Sequence, residues 1–193
     1  MSSPLINLVI SDTHCGSDCG LLPPNVVLED GTTIGHGKNR RMRWLWESFV
    51  DMQARFHSLC NGEPYILTIN GDIIEGIHHR TEEVVAAKIM DHLTIAREAL
   101  GDLIRGAEKV VMTRGTECHV RDLETVLARE FGVPKALDVQ QYTVNGCLVD
   151  ARHHMPVTGR VHLEAAALSI SMANTRSNMT RSGHPLPRVF IRG

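Results

Sequence analysis

The chain has 193 residues, enough for one domain with a substantial core, and its 42% apolar content is typical of a folded protein. Aromatic residues make up only 4% of the chain, so we expect an aliphatic core. The formal net charge of -2 excludes the strongly basic balance of a dedicated nucleic-acid-binding protein. The apolar stretch at residues 5–10 is too short for a signal core or a membrane span, which predicts a cytoplasmic protein with no membrane association.

Short β-branched runs alternate with segments of helical periodicity, which predicts an α/β protein with a mixed sheet. Strands are predicted at residues 5–10, 65–69, 109–113 and 188–191. Helices are predicted at about residues 39–60, 81–106, 121–131 and 161–174. An Asn145-Gly146 pair between two β-rich runs predicts a hairpin over residues 141–150. Because no repeat or linker divides the chain, we expect a single domain over residues 1–193.

Positive charge is concentrated in two segments. The first is a basic cluster that leads into two tryptophans: Lys38, Arg40, Arg41, Arg43, Trp44 and Trp46. The second is the part of the chain after Glu164, which contains arginines but no acid. Either segment has the charge to bind phosphates, and the alternative is a solvated helix face and a loose tail.

Four polar clusters each follow the predicted end of a strand. They are Asp12-Thr-His14, Gly71-Asp72, the segment from Gly115 to His119, and His153-His154. In open α/β sheets the carboxyl edge of the strands is where ligands bind. Each cluster alone has an ordinary interpretation as a turn or a helix cap, but the joint placement of all four predicts a site.

The residue types in these clusters are those of a metal site with mixed nitrogen and oxygen donors. Carboxylates favour Mn²⁺ or Mg²⁺, and imidazoles also suit Fe and Zn²⁺. Alternation along a strand places Asp12 and His14 on one side, so both can bind one ion. A carboxylate between two cations can bridge them, and such a pair can activate water and neutralise a phosphoryl transition state.

The order of these motifs resembles that of the calcineurin-like metallophosphoesterases over the whole chain. In that family the order is Asp-x-His, Gly-Asp, Gly-Asn-His, a later His, and Gly-His-x-His. Asp12 and His14 match the first motif, and Asp72 matches the metal-bridging carboxylate of the second. The resemblance implies central mixed β-sheets flanked by helices in α-β-β-α layers, with two divalent metal ions, Mn²⁺ first among them.

The later motifs depart from the family pattern. His119 is similar to the catalytic histidine but is displaced by two positions, as in phage-type members with Gly-Thr-x-x-His. Thr116 matches the family asparagine ligand by position, and Glu117 matches it by chemistry. The sequence does not decide which of the two replaces the asparagine. His153 or His154 matches the fourth motif, and adjacent strand residues face opposite ways, so one of them is expected to be the ligand.

The fifth motif, Gly-His-x-His, has no counterpart before the chain ends at Gly193. A strand ending on that glycine is similar to the one that introduces the motif in the family. On this basis we expect the domain to be truncated at its C-terminus.

The resemblance implies a phosphate-ester substrate, and a preference for arginine over lysine, sixteen to four, suits phosphate recognition. A phosphodiesterase or nuclease acting on DNA or RNA is therefore the expected function. His78, His79 and Arg80 follow Asp72 and are candidates to line the substrate path, the alternative being an exposed loop. The competing hypothesis is a non-catalytic module that binds metal or nucleic acid. The sequence does not indicate an oligomeric state.

Overall fold

The computed structural model of the chain describes residues 5–77, 83–117, 123–154 and 164–193, which form a mixed α/β protein, as expected. The strands are β1 (Ile6–Ile10), β2 (Val26–Val27), β3 (Thr33–Ile34), β4 (Tyr65–Asn70), β5 (Lys109–Thr113), β6 (Gln140–Val144), β7 (Cys147–Arg152) and β8 (Val189–Arg192). The helices are α1 (Arg40–Cys60), α2 (Ile89–Gly106), α3 (Leu123–Glu130) and α4 (Glu164–Arg181).

The first sheet contains three parallel strands in the order β1-β4-β5. Its register aligns Ile10 with Ile69 and Ile69 with Met112, so the carboxyl ends of all three strands lie at one edge. Every residue of the central strand β4 is buried. This explains why its sequence is a continuous run rather than an alternation of apolar and polar residues.

The second sheet has the order β6-β7-β8, with β6 and β7 antiparallel and β8 parallel to β7. The predicted hairpin is confirmed, because Asn145 and Gly146 have positive φ angles of 48° and 75° between β6 and β7. Two successive positive φ angles are the requirement of the tight turn that Asn-Gly favours.

The two sheets pack face to face through a small apolar cluster. Ile66 and Val111 of the first sheet contact Tyr142, Val149 and Ala151 of the second. The larger, mainly aliphatic core lies on the opposite face of the first sheet, where α1 and α2 pack. On the outer face of the second sheet, α4 makes polar contacts with β6 and β8. Helices therefore flank a pair of packed sheets.

Helix α1 begins where the sequence predicts it. The side chain of Asn39 caps the helix by accepting hydrogen bonds from the backbone N–H groups of Arg41 and Met42. The helix ends at Cys60, and the next residue, Asn61, has a positive φ of 49° and donates its N–H to the carbonyl of His57.

The prediction of a helix starting near residue 81 is wrong, because α2 begins at Ile89. Thr81, whose residue type suits a helix N-cap, lies outside the described residues. The backbone of Glu83 and Val85 is instead hydrogen-bonded to the loop at Gly16 and Asp18, over distances of 2.9 to 3.1 Å. Those long-range bonds use the donors and acceptors that a helical turn would need.

The predicted end of the last helix near residue 174 is also wrong, because α4 continues to Arg181. The hydroxyl groups of Thr175 and Thr180 each donate to the carbonyl four residues earlier, at 2.9 Å. Serine and threonine compete with helices when they bond elsewhere on the backbone, but this geometry keeps the helix intact.

In the parts of the chain that the structure describes, every helix is too short or too polar to cross a membrane.

Candidate metal centre

The loops that follow β1 and β4 run side by side and are joined by their backbones. The N–H groups of Asp12, His14 and Cys15 donate to the carbonyls of Gly71, Asp72 and Ile73, at 3.1, 3.0 and 2.8 Å. The parallel pairing of the strands is thus continued past their ends, and it holds the Asp12 and Asp72 loops in register.

Three non-glycine residues in these two loops have left-handed backbone conformations. The φ angles are 55° for Asp12, 41° for His14 and 48° for Asp72. Aspartate and histidine are among the residues that tolerate this region, but each such residue is strained relative to ordinary backbone. Gly71 precedes Asp72 and also has a positive φ, of 76°. Strained backbone of this kind concentrates at functional sites.

Asp12, Asp72 and His153 form the one group of candidate metal ligands found among the described residues. One ligand atom from each lies within 4.8 Å of the other two. Asp72 and His153 are buried, whereas the Asp12 side chain is 48% exposed, so the group is open on the side of Asp12. A bound ion would therefore be held from within the protein and still be accessible from solvent.

The imidazole of His153 is fixed at both nitrogens. Its Nδ1 donates to the carbonyl oxygen of Asn70 at 2.7 Å, and its Nε2 lies 3.0 Å from Oδ2 of Asp72. Although burial lowers the pKa of His153, its hydrogen bond to Asp72 and the negative charge there raise it to about 9. In this state a proton occupies the position between His153 and Asp72 that a metal ion would take.

His14 is arranged in a similar way. Its Nδ1 donates to Oε2 of Glu75 at 2.9 Å, and its Nε2 is 3.9 Å from Oδ1 of Asp12. Histidines that bind metals commonly donate their second ring N–H to a carboxylate or a backbone carbonyl, which fixes the tautomer and the orientation of the ring. Both His14 and His153 meet that requirement, with Nε2 directed to the carboxylates.

The loop after β5 holds Asp72 in place. The N–H of Thr116 donates to Oδ1 of Asp72 at 2.6 Å, and the Thr116 hydroxyl donates to Oδ2 at 3.1 Å. Gly115 passes so close that a Cβ atom there would lie 2.3 Å from the backbone nitrogen of Asp72. Only glycine fits this approach of the two loops.

Glu124 of α3 connects the loops that follow β4 and β5. It was not identified as a site residue from the sequence. Its side chain is fully buried and accepts hydrogen bonds from the N–H groups of Ile73, at 3.0 Å, and Gly115, at 2.6 Å. Burial raises the pKa of Glu124 to about 7, while the two backbone hydrogen bonds oppose that rise. The signal was available, because Glu124 shares the buried stripe of α3 with Leu127 and Ala128.

The structure distinguishes between the predicted residues. Asp12, Asp72 and His153 come together, and His14 lies beside Asp12. His154 and Glu117 are exposed and are not members of the group, while Thr116 contacts Asp72. The remaining predicted site residues lie outside the described residues: His78, His79, Arg80 and His119.

A scan against models of known protein families and a search of curated proteins both found no match for this chain.

Proposed function

We propose that the chain is a calcineurin-like metallophosphoesterase that hydrolyses phosphate diesters with two divalent metal ions. The observation that carries this proposal is the meeting of Asp12, Asp72 and His153, which come from three separate strand ends and two different sheets. Two packed sheets with helices on their outer faces also agree with the α-β-β-α layers expected for that family.

The donor set fits a hard or borderline divalent cation. Two carboxylates and one or two imidazoles match Mn²⁺ best, and Mg²⁺, Fe and Zn²⁺ are the other candidates. Asp12, His14, Asp72 and His153 would hold the metal ions, which supply an activated water and neutralise charge on the phosphoryl group. Thr116 and Glu124 keep the carboxylate of Asp72 and its loop in position.

His153 has to release its Nε2 proton when a metal binds, because the same lone pair is then needed for coordination. Its Nδ1–H remains on the carbonyl of Asn70, which keeps the ring aimed at Asp72. His119 keeps its proposed role as the group that stabilises or protonates the leaving oxygen. That role comes from the resemblance alone.

The test is Mn²⁺-dependent hydrolysis of bis-p-nitrophenyl phosphate by the purified chain, with the monoester and EDTA as controls. Turnover of the diester that EDTA abolishes is expected. Asp72→Asn should lower turnover at least about 100-fold, because losing a ligand exceeds the effect of losing an outer-shell partner. Asp102→Asn is the matched control, since Asp102 is an exposed carboxylate on α2. Equal turnover in both variants would contradict the proposal.

A second candidate function is a non-catalytic module that binds metal or nucleic acid. The observation that favours it is the contact of Thr116 with Asp72, where the family has an asparagine ligand. A hydroxyl that donates to Asp72 stabilises the site without adding an amide oxygen to it. Metal binding by the folded chain without hydrolysis of either ester would support this function over the first.

A further inference from the structure

A basic surface lies at the start of α1, and it is defined here by Lys38, Arg40, Arg41, Arg43 and Trp44. All five side chains are exposed. Among the described residues, none of the four cations forms an ion pair, although exposed arginines elsewhere, such as Arg55 with Asp51, do. Asp18 and Glu83 lie near Arg41, around the thiol of Cys19, but no acid in the described part of the chain is paired with any of the four cations.

The cations are placed where they do not help the helix. The start of α1 is its positive end, and its first turn contains no acid. Acids stabilise that end of a helix, and bases are unfavourable there. Three arginines at this position therefore weaken α1 unless an anion binds to them.

Trp44 gives the basic surface a second property. Its side chain is 66% exposed, an unusual degree for so large an apolar group. Trp46, two residues later, packs against the core and lies with its ring 6.0 Å from that of Phe49. Because Trp46 already contributes to the core, Trp44 is not needed for packing. An exposed aromatic ring beside arginines is the arrangement that stacks unpaired bases and binds the adjoining phosphates.

One short loop joins the basic surface to the candidate metal centre. The side-chain amide of Asn39 donates to the carbonyl of Asp18 at 3.4 Å, and Arg41 donates to Sγ of Cys19 at 3.6 Å. The same loop turns back on the site, since the N–H of Ser17 donates to the carbonyl of His14 at 3.0 Å. A strand bound along the start of α1 would thus lie beside the metal centre.

We propose that the basic surface binds single-stranded nucleic acid, with phosphates on the arginines and a base stacked on Trp44. Single strands are favoured over duplexes because a base must be unstacked to reach the indole. An anionic membrane is the less suitable partner, because an interfacial helix needs a broad apolar face and Trp44 is the one large apolar side chain in this surface. The role of the surface in guiding a substrate to the metal centre rests on the proposed function. Its binding of single strands does not.

The experiment measures binding of a fluorescein-labelled oligothymidylate by fluorescence anisotropy, in EDTA so that the strand stays intact. Trp44→Ala should weaken binding by roughly 5- to 160-fold, the range found for losing one stacked base. Arg40→Gln combined with Arg43→Gln should reduce the slope of log affinity against log salt by about 1.4. Arg55→Gln should leave both quantities unchanged, because Arg55 lies farther along the same helix and is already paired with Asp51.

Three outcomes would overturn the proposal. One is equal affinity of the wild type, Trp44→Ala and the double arginine variant for the oligonucleotide. Another is duplex binding as tight as single-strand binding and insensitive to Trp44→Ala. The third is binding to phosphatidylserine vesicles in preference to the oligonucleotide. Hydrolysis of bis-p-nitrophenyl phosphate by the wild type is recorded separately, so failure of the enzyme activity is distinguishable from failure of the surface.

Discussion

Two clusters in this molecule each place a buried carboxylate beside a cationic partner, and they differ in charge balance. In the second sheet, Asp150 is fully buried between Arg152 and Arg192, with contacts of 2.8 to 3.3 Å. At the candidate metal centre, Asp12 and Asp72 surround the imidazole of His153, and His14 lies beside Asp12 while it is paired with a third carboxylate, Glu75. The first cluster has more cations than anions, and the second has the reverse.

This difference explains why one cluster is structural and the other is a candidate site. A buried ion pair whose donors and acceptors match each other has no need of a ligand. At the candidate metal centre the carboxylates outnumber the histidines and the cluster is open to solvent at Asp12, so this cluster is suited to take up a cation. If charge balance separates the two clusters, substitutions and pH should affect them differently.

Asp150→Asn should lower the free energy of unfolding by about 3 kcal/mol, because it leaves the nearly buried side chain of Arg192 without a charged partner. Urea denaturation followed by circular dichroism measures the change. Asp138→Asn is the control, since Asp138 is also paired with an arginine, Arg114, but is 77% exposed. If both substitutions have the same small effect, Asp150 is not the structural carboxylate that the comparison requires.

The two clusters should also respond oppositely to pH. Folding raises the pKa of His153 from 6.5 to about 9, so its contribution is complete below pH 6.5 and is lost as pH rises through 9. The expected loss without metal is about 2 kcal/mol, allowing for screening by solvent near Asp12. Folding raises the pKa of Glu124 from 4.5 to about 7. The free energy of unfolding therefore also falls between pH 4.5 and pH 7 because of Glu124, and Glu124 causes no further fall above pH 7.

At acid pH, the free energy of unfolding is expected to fall because of Asp150. Although burial raises its pKa, hydrogen bonds from Arg152 and Gln141 and the charges of the two arginines hold it below the usual value. Its contribution is present above about pH 4 and is lost as pH falls. Unfolding free energies measured from pH 3 to 10 test both limbs. Saturating Mn²⁺ should remove the fall in unfolding free energy at alkaline pH and leave the fall at acid pH. An unchanged fall at alkaline pH would contradict the role of His153.

Gly115→Ala should lower Mn²⁺ affinity by about 10- to 100-fold, because the added Cβ displaces the backbone of Asp72. Isothermal titration calorimetry measures the affinity. Gly101→Ala is the matched control, since its Cβ would meet only the end of the flexible Arg105 side chain, at 3.0 Å. Equal affinity in both variants would show that the close approach of Gly115 does not position the site.

The smallest effect concerns the two candidates for the missing asparagine. Thr116→Ala removes one hydrogen bond to Asp72 and should weaken Mn²⁺ binding by about 2- to 10-fold. Glu117→Ala should leave the affinity unchanged, because Glu117 is exposed and outside the ligand group. The reverse order of effects would make Glu117 a ligand.

Much of the fold followed from local sequence pattern. The strand β4 and the helix α1 lie within one residue of their predicted limits, because continuous apolar runs and helical periodicity are strong signals. The start of α2 did not follow, since long-range bonds from Gly16 and Asp18 hold Glu83 and Val85 in an extended loop. Such bonds are set by tertiary structure and leave no local signal.

The candidate site was predictable in its residue types but not in its details. Strand-end placement pointed to Asp12, Asp72 and either His153 or His154. The choice between the histidines depended on the direction in which the chain leaves β7, which buries His153 and exposes His154. Glu124 follows the third cluster by only five residues and shares the buried stripe of α3, but its two backbone hydrogen bonds form only when α3 packs against both loops.

The most direct test of the central claim is an anomalous-scattering measurement on crystals soaked in Mn²⁺. We expect anomalous peaks within coordination distance of Asp12, Asp72 and His153, with His14 close enough to complete the shell. An ordered structure that contains Mn²⁺ elsewhere, or in which His153 and Asp72 keep their direct hydrogen bond at saturating metal, would contradict it.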